Sequence, residues 1–237
     1  MREELDSLKE NEVWELVSKN KVKGPVIKGR WVFKLKLGAD GIPVRVKARW
    51  VVKGYTQQKG IDYDETYAAV TKATTLKLLM AMIAHYNLEA KQYDIMTAFL
   101  YAKIKDHEIY VEQPHGFQET GDLVCLLKKA LYGLKQSPLL WFEELTKFLI
   151  SEGYIPLKQD PCIFQHRADE LIIAVYVDDL IAISISSEVI KKAADRIANR
   201  FIMRFLGEIS FYLGCRIIRS RDERKIFQSK MLTSKSY

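Results

Sequence analysis

Hydrophobic residues along the 237-residue chain change their period several times, and each change marks an element. Leu5, Leu8, Val13, Leu16 and Val17 are loosely helical in spacing, predicting a short helix over residues 1–17 that feeds a loop near Gly24-Pro25. From Trp31 the period becomes two. Trp31, Phe33, Leu35 and Leu37 alternate with Val32, Lys34 and Lys36, a turn follows at Ala39-Asp40-Gly41, and residues 42–52 alternate again, which predicts a β-hairpin. Residues 75–86 (TLKLLMAMIAHY) predict a buried helix whose methionines fill core space, and the strand after it ends at Tyr93-Asp94.

Ser137-Pro138 has the N-cap and first-turn proline chemistry of a helix start, and Ser187-Glu188 opens another helix that runs to about Phe205. Residues 171–177 and 180–185 read as two apolar strands, and residues 211–218 with 225–228 as a last hairpin. No internal repeat or flexible linker interrupts this order, so the expected architecture is one α+β unit.

Composition narrows the class. A chain that is 48% hydrophobic and 11% aromatic can bury a substantial core. It has no run of about 18 apolar residues, and it begins with the polar, acidic MREELDSLKENEVW, so neither a membrane span nor a secretory signal is expected. An intracellular location follows, cytoplasmic or nuclear. Cys125, Cys162 and Cys215 are odd in number, widely spaced and never in a C-x-x-C pair, which argues against disulfides and zinc and predicts ordinary, partly buried thiols. Neither a G-x-x-x-x-G-K-[ST] loop nor H-E-x-x-H occurs.

Charge is segregated. Of the net +7, the segment from Lys19 to Lys59 carries +11, from twelve basic residues and the single acid Asp40, and the remainder sums to −4. A hairpin this basic can project its lysines and arginines from one face toward a polyanion, with nucleic acid or nucleotide phosphate as the first candidate and a solvated basic surface as the alternative.

Asp178 and Asp179 interrupt the most apolar stretch of the chain, LIIAVYVDDLIAISI. Desolvated carboxylates are costly unless they lie at a turn or a cation compensates them. One reading makes them turn residues facing water. Against it, a tight two-residue hairpin loop favours glycine, and none is present. The other reading supplies a divalent ion. Aspartates without histidine or cysteine suit Mg²⁺ or Mn²⁺, and Asp94, at the end of residues 88–93 and just before IMTAFL, is the natural further ligand. The acids Asp62, Asp64 and Glu65 read as facing the basic hairpin or solvent, although a nuclease or integrase site built on acids is a third possibility.

A series of ordered motifs then runs along nearly the whole chain: NEVWELV (11–17), GRWVFKLK (29–36), VKARWVVKGYTQ (46–57), GIDYDETYAAV (60–70), QYDIMTAFL (92–100), IYVEQPHGF (109–117), LKKALYGLKQSP (127–138), DPCIF (160–164), VYVDDLI (175–181) and LGEISFYLG (206–214). In order and spacing it resembles the copia-type reverse transcriptases, the RNA-directed DNA polymerases of retrotransposon Pol polyproteins. The resemblance implies a right-hand polymerase with fingers and palm, an antiparallel palm sheet packed on helices. Fingers would span about 20–88 and 102–136, palm 89–101 and 137–220, and a thumb or connection would begin at 221–237. It implies two Mg²⁺ or Mn²⁺ ions bridged by Asp94 and Asp178, with Asp179 supporting them less directly. That asymmetry also fits neighbouring side chains of an extended backbone pointing to opposite faces.

Partners implied by the resemblance are an RNA or DNA template with its primer, a dNTP, and other Pol segments or a second copy of the chain. Lys47, Arg49 and Lys53 would meet the triphosphate, and Phe99 would stand as a steric gate beneath the sugar. Gly133 and Gln136 would form a template and nucleotide platform. Tyr176, Leu213 and Gly214 would touch nucleic acid, the last two in a primer-grip hairpin. The chain departs from the family pattern at Ala69, His115 and Phe205, where proline, proline and aspartate are usual. An alternative role is a retroelement remnant that binds nucleic acid without catalysis.

Overall fold

The computed structural model describes residues 1–37, 43–212 and 215–230. The turn expected at Ala39-Asp40-Gly41, the candidate residues Leu213 and Gly214, and the end of the expected thumb, 231–237, lie outside the described residues.

Along the chain the elements are α1 (Arg2–Glu10), β1 (Trp14–Ser18), β2 (Val26–Ile27), β3 (Gly29–Leu37), β4 (Pro43–Val52), α2 (Ala73–His85), β5 (Glu89–Ile95), β6 (Tyr110–Val111) and β7 (Leu123–Leu127). After them come α3 (Ser137–Ser151), β8 (Ile155–Pro156), β9 (Ile163–His166), β10 (Leu171–Tyr176), β11 (Asp179–Ser184), α4 (Ser187–Ala198), β12 (Met203–Glu208), β13 (Phe211–Tyr212), β14 (Cys215–Ser220) and β15 (Lys225–Lys230). The fold is therefore mixed α+β, and its contacts divide into two compact units. Met1–Ala68 with Ala98–Glu144 forms the first, and Ala69–Thr97 with Leu145–Tyr237 the second, so α2 belongs with the second.

In the first unit, among the described residues, β3 and β4 pair only with each other, while β1, β7, β6 and β2 form a four-stranded sheet in that order. Trp50 anchors the base of the β3–β4 ribbon. It is fully buried, its ring is 5.3 Å from that of Trp31, and Trp31 in turn lies 5.9 Å from Phe117 and donates from its indole N–H to the His115 carbonyl. His115 itself sits 6.0 Å from Trp50, so the departure from proline still contributes a ring to this cluster. Aromatic pairs of this kind add about 0.5–1.5 kcal/mol each beyond their buried area.

The base is also closed by glycine. Gly133 has φ +96°, and a Cβ there would stand 2.0 Å from the Val52 carbonyl oxygen, while the Val52 N–H bonds to the Tyr132 carbonyl at 2.8 Å. Only glycine allows both that φ and that approach.

In the second unit a six-stranded sheet runs β12-β5-β11-β10-β9-β8, every pair in it antiparallel, and β13-β14-β15 form a smaller sheet. Leu76, Leu79, Met80 and Ile83 of α2 pack with Ala90, Ala174, Ile181, Ile183, Tyr212 and Ile217 in one core. Ala193, Ala194 and Ile197 of α4 meet Tyr93, Ile173, Leu180 and Ala182. Covered on both faces, β10 and β11 read as unbroken apolar runs, as a buried strand should.

Three expectations need correction. The first helix stops at Glu10, and Trp14–Ser18 is a strand, because after Glu12 turns at φ +49° the chain pairs with β7 from Trp14↔Leu127 to Ser18↔Leu123. The helix expected to reach Phe205 stops at Ala198, and Met203–Glu208 is an edge strand laid along β5. Ser137 lies inside the start of α3, where its hydroxyl accepts from the Leu131 N–H at 3.1 Å and donates to the Leu131 carbonyl at 2.7 Å, so it ties down the preceding loop.

Among the described residues, no helix is long and apolar enough to cross a membrane.

Candidate active site

Asp179 is the first residue of β11, and its register partner on β5 is Asp94. Opposed residues of an antiparallel pair carry their side chains on one face, so strand pairing alone brings these carboxylates together. The row extends further, to Tyr176 opposite Asp179 and Arg204 opposite Asp94. Across four strands it reads Arg204, Asp94, Asp179, Tyr176.

Asp178 reaches the same place by another route. With Tyr176 paired to Asp179, residues 177 and 178 are the whole loop of a two-residue hairpin. Val177 adopts φ 57° at its first position, where such a turn normally takes glycine. A β-branched residue held there stores about 1–3 kcal/mol of strain, which the surrounding sheet must sustain. The missing glycine therefore does not prevent the tight turn. Asp178 is a turn residue, so face alternation along an extended strand does not apply to it, and its carbonyl accepts from the Ile95 N–H at 2.8 Å.

The electrostatics are those of crowded acids. Asp94, Asp178 and Asp179 are all half-buried. Burial pushes the Asp179 carboxyl above the usual range, and Asp178 and Asp94 push it the same way, while the Gln92 amide, 3.5 Å away, and Arg204 oppose them. Arg204 donates from Nη2 to Asp94 Oδ2 at 3.0 Å. Among the described residues, no three acidic, histidine or cysteine side chains converge as a ready metal cage. The donor set nonetheless suits a hard divalent cation, since it is all carboxylate oxygen and its charge raises the proton affinity of its own member.

The first unit assembles a different group of candidates. Arg49 lies over the Tyr132 ring, 4.8 Å from its centroid, and Phe99, in a 3₁₀ turn at Ala98–Tyr101, packs on the same Tyr132 with ring centroids 4.9 Å apart. Arg49 Nε is buried without a hydrogen-bond partner, a donor left open for an acceptor. Lys47 shares the face of Arg49 on β4, and Lys53 follows the end of that strand. Acidic residues of α1 meet this face. Glu3 pairs with Arg45, and Glu4 lies against Lys47, Arg49 and the Trp50 N–H, with burial raising its pKa more than those partners lower it.

Gly133 and Gln136 have structural work within this unit. Gly133 admits the Val52 backbone, as described above. Gln136 is buried, accepting from Gln57 Nε2 at 3.1 Å and donating to the Asp62 carbonyl at 2.8 Å. Tyr176 is half-buried, with its ring 6.4 Å from that of Tyr212.

The other acids are accounted for locally. Asp62 does not face the basic hairpin or solvent but is buried, accepting from the Gln58 N–H; Asp64 meets His107 at 3.1 Å, and Glu65 accepts from the N–H groups of Thr66 and Tyr67. Cys125 and Cys162 are buried thiols with pKa values pushed up to about 12, and Cys215 is partly exposed.

Sequence reasoning passed over Gln92, Arg204, Tyr132 and the α1 acids. Gln92 was findable, being two residues before Asp94 on a strand and so on its face. Arg204 was hidden by reading its strand as helix. Phe205, the departure beside it, packs its ring 5.3 Å from Tyr93 and so helps seat that strand.

The family described as reverse transcriptase (RNA-dependent DNA polymerase) matches residues 11–235. A retrovirus-related Pol polyprotein from transposon TNT 1-94 of Nicotiana tabacum is 40% identical over 235 residues, covering 97% of this chain and 18% of its own length. The Pol polyprotein from transposon RE2 of Arabidopsis thaliana is 33% identical over 218 residues, 90% of this chain and 15% of its own. The Ty1-DR1 Gag-Pol polyprotein of Saccharomyces cerevisiae is 30% identical over 224 residues, 89% and 12% respectively. This chain thus spans less than a fifth of each of these relatives.

Proposed function

The chain belongs to the copia-type reverse transcriptases of retrotransposon Pol polyproteins, and from that premise we propose that it is an RNA-directed DNA polymerase joining a dNTP to a primer 3′-hydroxyl. The observation that carries the proposal is the placement of Asp94 opposite Asp179, with Asp178 in the turn between β10 and β11. In this reading the second unit supplies the palm and the first the fingers.

Asp94, Asp178 and Asp179 would hold two Mg²⁺ or Mn²⁺ ions. Bound there, divalent ions supply Lewis acidity, lowering the pKa of the primer hydroxyl and neutralising the triphosphate. The remaining work falls to side chains. Arg49 offers a buried, unpartnered Nε–H to a phosphate oxygen, and its planar fork suits that acceptor better than an ammonium does. Lys47 and Lys53 add positive charge for the same phosphates. Phe99, its ring against Tyr132, would exclude a ribose 2′-hydroxyl, and Tyr176, with Leu213 and Gly214, would meet the nucleic acid. Gly133 and Gln136 would act by keeping the end of β4 and the loop 57–62 in place, which their contacts support.

Primer extension tests the proposal. The purified chain should extend a DNA primer on an RNA template with Mg²⁺ or Mn²⁺, and Asp178→Asn should lower the rate by at least about a hundredfold with an unchanged circular dichroism spectrum. Extension by the variant at the wild-type rate would sink the carboxylate assignment. Tight template binding without extension by the unmutated chain would replace polymerase with the nucleic-acid-binding remnant.

A further inference from the structure

Arg204 is the cation that the fold itself delivers to the acidic row. Its strand, β12, is the edge of the six-stranded sheet, and the register puts Arg204 directly across from Asp94. Two contacts hold that register. The Met96 N–H bonds to the Ile202 carbonyl at 2.8 Å and the Phe205 ring packs on Tyr93, while just beyond, between Phe205 and Gly207, the register shifts before pairing resumes at Gly207↔Gln92. Gly207, at φ +95°, absorbs that break. The backbone is thus well placed while the side chain is not confined. The Arg204 side chain is 62% exposed, against 24% for Asp94, and reaches Asp94 through Nη2 at 3.0 Å.

Resting on the proposed metal-binding role of the three aspartates, we propose that Arg204 is a positioning residue: a resident counter-ion that pairs with the Asp94 carboxylate from the β12 side when no metal is bound and yields that oxygen to the divalent cation. Three half-buried carboxylates at one end of a sheet repel one another, and a single guanidinium offsets part of that repulsion. A divalent ion brings twice the charge and coordinates oxygen directly, whereas Arg204 offers an exposed contact whose net worth is small. An exposed arginine on an edge strand can leave without disturbing the sheet, and a buried one could not. The metal must therefore compete with Arg204 for Asp94, and the affinity of the site is set partly by that competition.

Mn²⁺ binding, read by electron paramagnetic resonance on purified protein without nucleic acid or dNTP, tests the competition apart from activity. Arg204→Gln should bind Mn²⁺ about three- to tenfold more tightly than the wild type. Arg204→Lys, which keeps the charge and loses the fork, should fall between them. Asp178→Asn is the control for the carboxylate reading and should lose most of the Mn²⁺ signal. If it binds like the wild type, or if the wild type binds no Mn²⁺, the metal reading fails and takes this inference with it. If the control behaves but Arg204→Gln binds equally or more weakly, the inference alone is overturned. Arg204→Lys separates loss of charge from any loss of fold, because a merely structural arginine would leave its Mn²⁺ affinity at the wild-type value.

Discussion

Two hairpins of the same elementary kind hold the charged candidates of this molecule, and they treat charge in opposite ways. Among the described residues the β3–β4 ribbon pairs with no other strand, and its basic residues Arg45, Lys47 and Arg49 alternate with Val46, Ala48 and Trp50. Beyond the Trp31–Trp50 pair at its base, even its apolar face is open: Phe33 and Val46 are each 58% exposed. The β10–β11 hairpin lies inside a six-stranded sheet, and its carboxylates are half-buried at the turn. Charge on the ribbon is spread over alternate positions of one strand, suited to a repeating polyanion. Charge on the buried hairpin is desolvated and fixed in register, suited to chemistry at one point.

The sharpest way to break this contrast is to unseat the ribbon. Its last strand ends against Gly133, where a methyl group would meet the Val52 carbonyl at 2.0 Å in a backbone already at φ +96°. Gly133→Ala should destabilise the first unit by more than about 3 kcal/mol, since strain and overpacking act together. Chemical denaturation followed by tryptophan fluorescence would register it, because Trp31 and Trp50 lie at that base. A midpoint matching the wild type would mean the close approach can relax.

A smaller effect sharpens the electrostatic half. Replacing Arg45, Lys47 and Arg49 together with glutamine should weaken binding of an RNA–DNA oligonucleotide and flatten its log–log salt dependence by about two to three units, from the phosphate charges no longer neutralised. Glu4→Gln should act in the other direction, raising affinity about threefold, because it removes the acid that lies against Lys47 and Arg49. Fluorescence anisotropy over a salt series measures both. An unchanged slope in the triple variant would move the polyanion footprint elsewhere on the chain.

The two hairpins also differ in how readily the sequence reveals them. The ribbon announces itself through strict alternation, and residues 42–52 were legible because an exposed strand must show both faces. The carboxylate hairpin was legible for the opposite reason, two acids in an otherwise unbroken apolar run. What stayed hidden was whatever depends on distant pairing. Trp14–Ser18 became a strand because β7 lies beside it, and Met203–Glu208 because β5 does, against a local pattern that favoured helix. Arg204 shows the consequence. Read on a helix it is a surface cation; laid opposite Asp94 it belongs to the site. The α1 acids were hidden likewise, since nothing local to REEL names β4 as its neighbour.

The finest prediction uses pH to separate the units, since each holds a glutamate shifted in the opposite direction. Glu89, at the start of β5, receives the Arg221 fork at 2.8 and 3.0 Å and lies 3.5 Å from Lys91, and those partners hold its carboxyl below the usual range. Glu208 shares both cations and shifts the same way. Glu4 is raised instead, burial outweighing Lys47, Arg49, the Trp50 N–H and the terminal ammonium. A depressed folded pKa means that the unfolded chain takes up protons first, so Glu89 stabilises its unit above the ordinary glutamate pKa and that contribution is lost as pH falls through the folded value. The raised pKa of Glu4 reverses the sign: the folded state takes up the proton first, and acidification through that pKa relieves a burial penalty. As pH falls below the ordinary glutamate pKa of about 4.3, amides of β5 and β14 should therefore lose hydrogen-exchange protection, whereas those of α1 should hold or gain it as pH falls from neutrality toward that value, after correction for intrinsic rates. Parallel loss in β5 and α1 would show that Glu4 is held by its cations rather than penalised by burial, and α1 would then be a clasp on the ribbon.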